Sequence, residues 1–158
     1  MMKKVLLSLA VGALMASAAQ AATINVGTEA TFAPFEFMDE QTKELTGFDM
    51  EIIKAVAKEM GDDVRVHNMG FDALIPSLQT GIIDVTVAAM TITPERQKRV
   101  DFTDPYYQSG LVIMVRQEDT GKYKDFKSLE GSRLCAQIGT TGAMMAKRVK
   151  NAKVTEFN

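Results

Sequence analysis

The feature that most constrains the fold of this 158-residue chain is a regular alternation of short strand-like runs with amphipathic helical segments. Strand candidates occupy residues 23–27, 64–67 and 84–90, and helical patterns fill the intervals at 47–61 and 72–81. Strands separated by helices in this way run parallel, because each helix carries the chain back across the sheet. The sequence therefore predicts an α/β unit in which helices cover a parallel sheet.

Local signals define the ends and faces of these helices. Gly61 is placed to end the first helix, and Asp72 is placed to cap the second. Thr93 followed by Pro94 is the pattern of an N-cap and a first helical position. The apolar face predicted for the first helix consists of Phe48, Ile52, Ile53, Val56, Ala57 and Met60.

A second and shorter strand–helix pattern occupies the C-terminal part of the chain. An apolar run at 111–115 leads into a polar stretch, a strand candidate at 133–137, a turn at 139–142, a helical pattern at 143–149 and a strand candidate at 154–157. This unit has only about 40 residues, fewer than a domain usually needs to bury a sufficient core. We therefore expect the sequence to be a fragment, with a nearly complete first unit and a truncated second one.

Composition excludes several classes of function. The formal net charge of −2 offers no basic face for phosphates, so a nucleic-acid partner is not expected. The single cysteine, Cys135, excludes an intramolecular disulfide and a cysteine-built zinc site, and is expected to be a buried strand residue. The single histidine, His67, excludes a multi-histidine metal site and leaves no convincing pair of nucleophile and base. Hence no metal, no cofactor and no catalytic residue is predicted.

Residues 1–21 have the pattern of a cleaved secretory signal peptide. Lys3 and Lys4 precede an apolar run at 5–16, and residues 19–21 fit the small-residue cleavage pattern. The alternative, an N-terminal membrane anchor, needs about 20 apolar residues, and the run is shorter. The sequence therefore predicts a periplasmic location.

Arg96 is the first candidate for the functional site. It lies in the first turn of the helix that follows Thr93, where the helix dipole disfavours a cation, so a use elsewhere is indicated. A guanidinium suits a bidentate grip on a carboxylate. The alternative interpretation is a surface arginine beside Lys98 and Arg99.

The turn at residues 139–142 is the second candidate. It carries two glycines and the hydroxyls of Thr140 and Thr141 between a strand and a helix, so its backbone N–H groups suit an anion. No lysine follows in the register of a phosphate loop. One such helix N-terminus in each α/β unit indicates a small ligand held between the two units, and binding is favoured over turnover.

Aromatic residues and one acid follow the predicted strands. Phe32 and Phe71 lie in loops directly after strand candidates, where binding residues concentrate, and Glu29 shares a loop with Phe32. Phe35 and Phe37 alternate as core residues do. The alternative for Glu29 is an ordinary solvated acid.

Six segments in order carry a resemblance to a known family: residues 27–37, 47–51, 71–78, 91–96, 100–107 and 139–142. The chain resembles the periplasmic polar amino acid-binding proteins of ABC importers, that is, solute-binding protein family 3 of the glutamine-, histidine- or lysine-arginine-ornithine-binding type, truncated at its C-terminal side. The resemblance implies the two-lobed α/β fold of a type II periplasmic binding protein. Lobe 1 would span 22–110, a hinge strand 111–115 and the start of lobe 2 116–158.

The resemblance also implies a site for both charges of an amino acid. Arg96 would bind the α-carboxylate, together with the backbone N–H groups of Thr91 and of Thr141 in the turn that contains Thr140. The Thr91 hydroxyl and the Ala89 carbonyl would receive the α-ammonium. Both charges need partners, because an unpaired charge is costly to bury.

For the ligand side chain, the resemblance implies that Phe32 and Phe71 enclose it while Glu29 and Gln137 meet its polar end. A glutamate that faces no lysine favours a basic amino acid such as arginine, lysine or histidine, with glutamine as the alternative. The implied protein is a monomer that delivers its ligand to a permease in the inner membrane. Alternatives on the same scaffold are a cyclohexadienyl (prephenate or arogenate) dehydratase and a sensory or cell-wall-enzyme domain.

Overall fold

The computed structural model describes residues 21–158. Nearly all of the predicted signal peptide, residues 1–20, lies outside the described residues. Within the described part, no helix is both long enough and apolar enough to cross a membrane.

Residues 21–158 contain eight strands and four α-helices. The strands are β1 (Thr23–Thr28), β2 (Thr31–Phe32), β3 (Glu36–Met38), β4 (Leu45–Thr46), β5 (Asp63–Asn68), β6 (Val85–Thr86), β7 (Arg133–Gln137) and β8 (Lys153–Phe157). The helices are α1 (Phe48–Met60), α2 (Phe71–Gln79), α3 (Pro94–Gln97) and α4 (Thr141–Ala146).

The main sheet is parallel, with β1 between β5 and β6. This confirms the predicted α/β arrangement. Since β5 and β6 lie on opposite sides of β1, the connections reverse direction at β1, and the loops after all three strands meet at one edge. The strand predicted at 84–90 is shorter than expected, because the chain leaves the sheet after Thr86 and Ala89 takes a left-handed conformation with φ of 45°. The small antiparallel sheet of β2, β3 and β4 adjoins this edge.

Helices cover both faces of the main sheet. On one face Val26 packs with Met50, Ile53 and Val87. Successive strand residues point to opposite faces, so the neighbouring Gly27 faces the other side. There a Cβ on Gly27 would lie only 2.4 Å from Ile83 Cδ1, which shows how closely the segment around α2 approaches the strand.

The apolar face predicted for α1 is only partly right. Ile53 and Ala57 are buried, but Phe48, Val56 and Met60 are exposed, and the buried set includes Asp49 instead. Asp49, Ile53 and Ala57 follow the four-residue spacing of one helix face, so α1 is rotated toward a polar position that hydrophobicity does not reveal. Gly61 ends the helix in the left-handed conformation, as predicted.

The predicted caps have different outcomes. Asp72 does not cap α2: the N-cap is Gly70, two residues earlier, so Asp72 lies inside the first turn of the helix. An acidic side chain there interacts favourably with the helix dipole. Thr93 does cap α3, since its Oγ1 accepts a hydrogen bond from the backbone N of Arg96 at 3.2 Å. Pro94 is the first helical residue, as predicted.

In the second unit, β7 has the predicted bounds and pairs in parallel with β8, while α4 begins earlier than predicted, at Thr141. The hinge strand predicted at 111–115 is not a strand in this structure. A strand needs a partner for its backbone hydrogen bonds, and among the described residues none pairs with this segment. The boundaries of the predicted lobes stay a prediction.

Cys135 is exposed, so its predicted burial is wrong. It lies on the same face of β7 as the exposed Arg133, whereas the alternate residues Leu134 and Ala136 are half-buried. Helix α4 packs against β7, and a strand residue is buried only when its own face is covered.

Candidate functional site

The candidate site lies where the loops after β1, β5 and β6 meet. The loop after β1 contains Glu29, and the Ala30 backbone N donates to Asn68 Oδ1 at the end of β5. The Met69 backbone N donates to the Thr28 carbonyl at 2.9 Å, which ties the same two strand ends together. The carboxyl edge of a parallel sheet is where open α/β folds bind ligands.

Arg96 is the centre of this arrangement. It is only 4% exposed, although its position in the sequence is also compatible with a surface residue. Nη1 donates to the Thr91 carbonyl at 2.7 Å, and Nη2 donates to the Gly139 carbonyl at 2.9 Å. Burial lowers the pKa of Arg96 from its ordinary value, yet a guanidinium stays charged in proteins. Because a guanidinium has five N–H donors, three remain for another acceptor.

Phe71 supports Arg96 from one side. It is the first residue of α2 and not a loop residue as predicted, because α2 starts at the end of the short connection from β5. The Arg96 Cζ atom lies 5.3 Å from the centre of the Phe71 ring, which is a cation–π distance. Both residues line a cavity of about 180 Å³, together with Asp72, Ile75, Met90, Glu95, Arg99, Gly139 and Met144.

The glycine–threonine turn approaches this cavity from the second unit. Thr140 caps α4: its hydroxyl accepts from the Ala143 backbone N and donates to the Gln137 carbonyl. Thr141 begins the helix, so its N–H is among those that a helix leaves without an internal partner. A Cβ on Gly139 would lie 3.1 Å from both Cα and Cβ of Asp72, so the two units are in close contact here.

Glu29 and Gln137 make a second link between the units. The Gln137 amide donates a hydrogen bond to the Glu29 carboxylate, and both residues are half-buried. The structure thus brings Glu29, Gln137, Arg96 and the turn to one cleft.

Phe32 has a different environment from Phe71. It lies in β2, is 55% exposed and stacks on Phe35 with ring centres 5.6 Å apart. Whether Phe32 and Phe71 enclose a ligand stays a prediction. Phe32 belongs to an aromatic group that also contains Phe35, Phe48, Tyr106 and Tyr107.

Ala89 and Thr91 follow β6 at the same edge. Thr91 is exposed, and its carbonyl accepts from Arg96. Ala89 is half-buried, and its backbone N donates to Asp49 Oδ2 at 2.7 Å. Ala89 and Thr91, the two residues predicted to bind the ligand ammonium, are therefore both held by side chains: Asp49 bonds to the Ala89 N–H and Arg96 to the Thr91 carbonyl.

Sequence reasoning missed the buried acids beneath this segment. Asp49 is 0% and Glu36 2% exposed, and the Tyr106 hydroxyl donates to Asp49 Oδ2 at 2.9 Å. Burial, the charge of Asp49 and a hydrogen bond with Asp49 raise the pKa of Glu36 to about 9, with a smaller contribution from Glu29. Burial and Asp49 also raise the pKa of Tyr106. The signal that could have found Asp49 is its four-residue spacing from Ile53 on the buried face of α1.

The prediction that Phe35 and Phe37 alternate as core residues is wrong, because the residue between them is the one that faces the interior. Both are only half-buried, and Glu36 between them is buried. Within residues 21–158, no group of three or more metal-ligating side chains is present.

The fold and the cleft define a binding protein of two α/β units. Residues 24–155 match the bacterial extracellular solute-binding proteins, family 3, and the chain belongs to this family. ABC transporter arginine-binding protein 1 of Escherichia coli K12 is 39% identical over 140 residues, which cover 89% of this chain and 56% of the relative. A probable histidine-binding protein of Campylobacter jejuni is 41% identical over 133 residues, covering 84% and 50%.

Among solved structures, an ancestral arginine-binding protein bound to arginine matches with a TM-score of 0.79 at 44% identity, covering 86% of this chain and 61% of the other. These comparisons confirm the predicted family and the two-lobed α/β fold class. The chain spans about half the length of the curated relatives it matches. The relatives carry names of binding proteins and not of enzymes, which supports the expectation of binding without turnover.

Proposed function

We propose that this chain belongs to a periplasmic protein that captures a basic amino acid and delivers it to the permease of an ABC importer. The observation that carries the proposal is the placement of Arg96, a buried cation at the contact between the two units. A buried charge is costly unless partners meet it, and within residues 21–158 the Arg96 side chain makes two hydrogen bonds, both to neutral carbonyl groups. An anionic ligand group would supply the missing negative charge.

The α-carboxylate of the ligand would bind to Arg96. The three N–H groups of Arg96 that make no hydrogen bond to Thr91 or Gly139 suit the two oxygens of a carboxylate. The backbone N–H groups of Thr91 and Thr141 would add donors, one from each unit. The cap that Thr140 makes on α4 keeps this turn in place.

The α-ammonium would bind to the Ala89 carbonyl and the Thr91 hydroxyl. Both residues follow β6, one turn before Arg96, so the two charges of the ligand would be met within a single short segment. Hydrogen bonds to charged groups contribute about 1.5–3 kcal/mol each, which makes such a segment the main source of affinity.

The side chain of the ligand would extend toward Glu29 and Gln137, between Phe32 and Phe71. The Gln137 amide is already bonded to the Glu29 carboxylate, so the carboxylate offers its remaining lone pairs to a cation. This favours arginine, lysine or histidine over glutamine. Of the two curated relatives described above, one is named for arginine and one for histidine, which supports a basic ligand.

Delivery would depend on closure of the cleft. The contacts of Arg96 with Gly139 and of Glu29 with Gln137 join the units, and a ligand stabilises closure only through contacts with both sides. In this proposal the units correspond to residues 22–110 and 116–158, the protein acts as a monomer, and residues 1–21 direct it to the periplasm.

The test is calorimetry on the protein with both lobes complete, using L-arginine, L-lysine, L-histidine and L-glutamine. We expect L-arginine to bind most tightly and Arg96→Ala to weaken its binding by at least about tenfold. The matched control is Arg99→Ala, since Arg99 lines the same cavity but is exposed and bonds only to Gln79 by its side chain. Unchanged affinity in Arg96→Ala, or an equal loss in both variants, would contradict the proposal.

A further inference from the structure

Two carboxyl groups are buried beneath the segment that contains Ala89. Asp49 is fully buried and Glu36 nearly so. Acidic side chains are almost never fully buried unless they are paired, because burial removes their hydration. Their position at the edge of the cleft therefore needs an explanation beyond packing.

Local backbone contacts bring the two acids together. The backbone N of Asp49 donates to the Phe35 carbonyl at 2.9 Å, and the preceding N–H, of Phe48, donates to the Pro34 carbonyl. These bonds anchor the first turn of α1 to the residues directly before Glu36 in β3. The helix start thus places Asp49 near Glu36 and within hydrogen-bond distance of the Ala89 N–H.

One oxygen of Asp49 holds the Ala89 peptide. Asp49 Oδ2 accepts from the Ala89 backbone N at 2.7 Å and from the Tyr106 hydroxyl at 2.9 Å. Ala89 has a φ of 45°, a left-handed conformation that alanine adopts only where its surroundings impose it. Among the described residues, none donates a hydrogen bond to the Ala89 carbonyl oxygen.

Glu36 completes the support of Asp49. Its raised pKa, about 9, keeps it protonated at neutral pH, and a protonated carboxyl has one O–H donor for a hydrogen bond with Asp49. The charged or titratable groups that act on Glu36 are Asp49 from α1 and Glu29 from the loop after β1, and Glu36 in turn acts on Tyr106. Glu36 Oε2 and Asp49 Oδ1 are both buried without another hydrogen-bond partner among the described residues, so a proton on Glu36 would serve Asp49.

We propose that Asp49 is a positioning residue for the ligand ammonium: by holding the Ala89 N–H it fixes the left-handed Ala89 peptide, so that the Ala89 carbonyl is available to the ligand. Glu36 and Tyr106 hold Asp49 in place. The inference rests on the proposed function, because it assigns the Ala89 carbonyl to the ammonium of an amino acid.

The test compares two ligands on the protein with both lobes complete: L-arginine and desamino-arginine, which lacks the α-amino group. Asp49→Leu removes the acceptor while filling the space, and Asp49→Asn keeps an oxygen for Ala89 and Tyr106. We expect Asp49→Leu to lower the affinity for L-arginine by at least about tenfold. The affinity for desamino-arginine should fall by less than about threefold. Asp49→Asn should bind both ligands within about threefold of the parent protein.

A merely structural role gives a different result. Equal losses of affinity for the two ligands in Asp49→Leu would overturn the inference. An Asp49→Asn variant that binds L-arginine as weakly as Asp49→Leu would also overturn it, because the charge of Asp49 and not its hydrogen bond to Ala89 would then control binding. If the parent protein binds neither L-arginine nor another amino acid, the proposed function itself fails, which is a separate outcome.

Hydrogen exchange decides the matter if Asp49→Leu does not fold. In the parent protein the Ala89 amide should exchange slowly, and L-arginine should slow it further by at least about tenfold more than desamino-arginine does at saturation. Equal slowing by both ligands, or exchange at the rate of an exposed amide, would overturn the inference.

Discussion

The guanidinium of Arg96 donates a hydrogen bond from Nη2 to the carbonyl oxygen of Gly139 at 2.9 Å. Arg96 belongs to the first α/β unit and Gly139 to the second, so this bond crosses the cleft. Gly139 has a left-handed backbone conformation, with φ of 76°, and it lies against Asp72 at the start of α2. The contact between the two units therefore depends on a glycine position where a larger residue would be strained and would lie too close to Asp72.

Gly139→Ala should weaken ligand binding because it separates the units. A Cβ at this position would approach the Asp72 backbone to 3.1 Å, and backbone cannot move as a flexible side chain can. The control is Gly131→Ala, which has a similar φ of 71° but no atom within 4 Å of the added Cβ. Both variants should lose about 1–2 kcal/mol of unfolding free energy through backbone strain.

Calorimetry with L-arginine separates the two effects of Gly139→Ala. Its affinity should fall at least about fivefold below that of Gly131→Ala, which corresponds to about 1 kcal/mol. Equal affinities in the two variants would show that the contact with Asp72 does not control closure.

Much of the first unit could be predicted from its sequence because the signals are local. The alternation at residues 64–67, Gly61 at a helix end and Thr93 before Pro94 each specify structure within a few residues. Arg96 and the glycine–threonine turn were also predicted to converge, since helix N-termini in both units point to one cleft. The structure brings them together through the Gly139 carbonyl.

The remaining features depend on partners that are distant in the sequence. Glu36 is buried next to Asp49, and the start of α1 bonds to the Pro34 and Phe35 carbonyls directly before it, so its burial depends on contacts that no hydrophobicity pattern contains. On α1 the buried face includes Asp49, and Val56 is exposed. The apolar run at 111–115 has the composition of a strand, but strand formation requires a partner for its backbone.

Glu36→Gln should make stability less dependent on pH. The pKa of Glu36 is raised from 4.5 to about 9 in the folded protein, so the folded state binds a proton that the unfolded state releases above pH 4.5. The stability contributed by this proton is complete below pH 4.5 and is lost as the pH rises toward 9. Glutamine is neutral at every pH, and its amide can donate to Asp49 as the protonated acid does.

Urea unfolding at several pH values measures this effect. Glu36→Gln should be more stable than the parent protein at neutral pH, and its advantage should grow between about pH 5 and pH 9. Glu40→Gln is the control, since Glu40 is exposed. A difference between Glu36→Gln and the parent that stays constant over this range would show that Glu36 does not gain a proton on folding.

Glu29→Gln should change which amino acids bind. In the proposed function the Glu29 carboxylate meets a cationic side chain, and its bond with the Gln137 amide keeps it at the cleft. Removing the negative charge should weaken L-arginine by at least about tenfold, because a hydrogen bond between charged groups is stronger than a neutral one. The affinity for L-glutamine, whose side chain is neutral, should change by less than about threefold.

Calorimetry with both amino acids is the measurement, and Glu44→Gln is the control, because Glu44 is exposed. An equal change of affinity for L-arginine and L-glutamine would mean that Glu29 positions Gln137 and does not interact with the charge of the ligand.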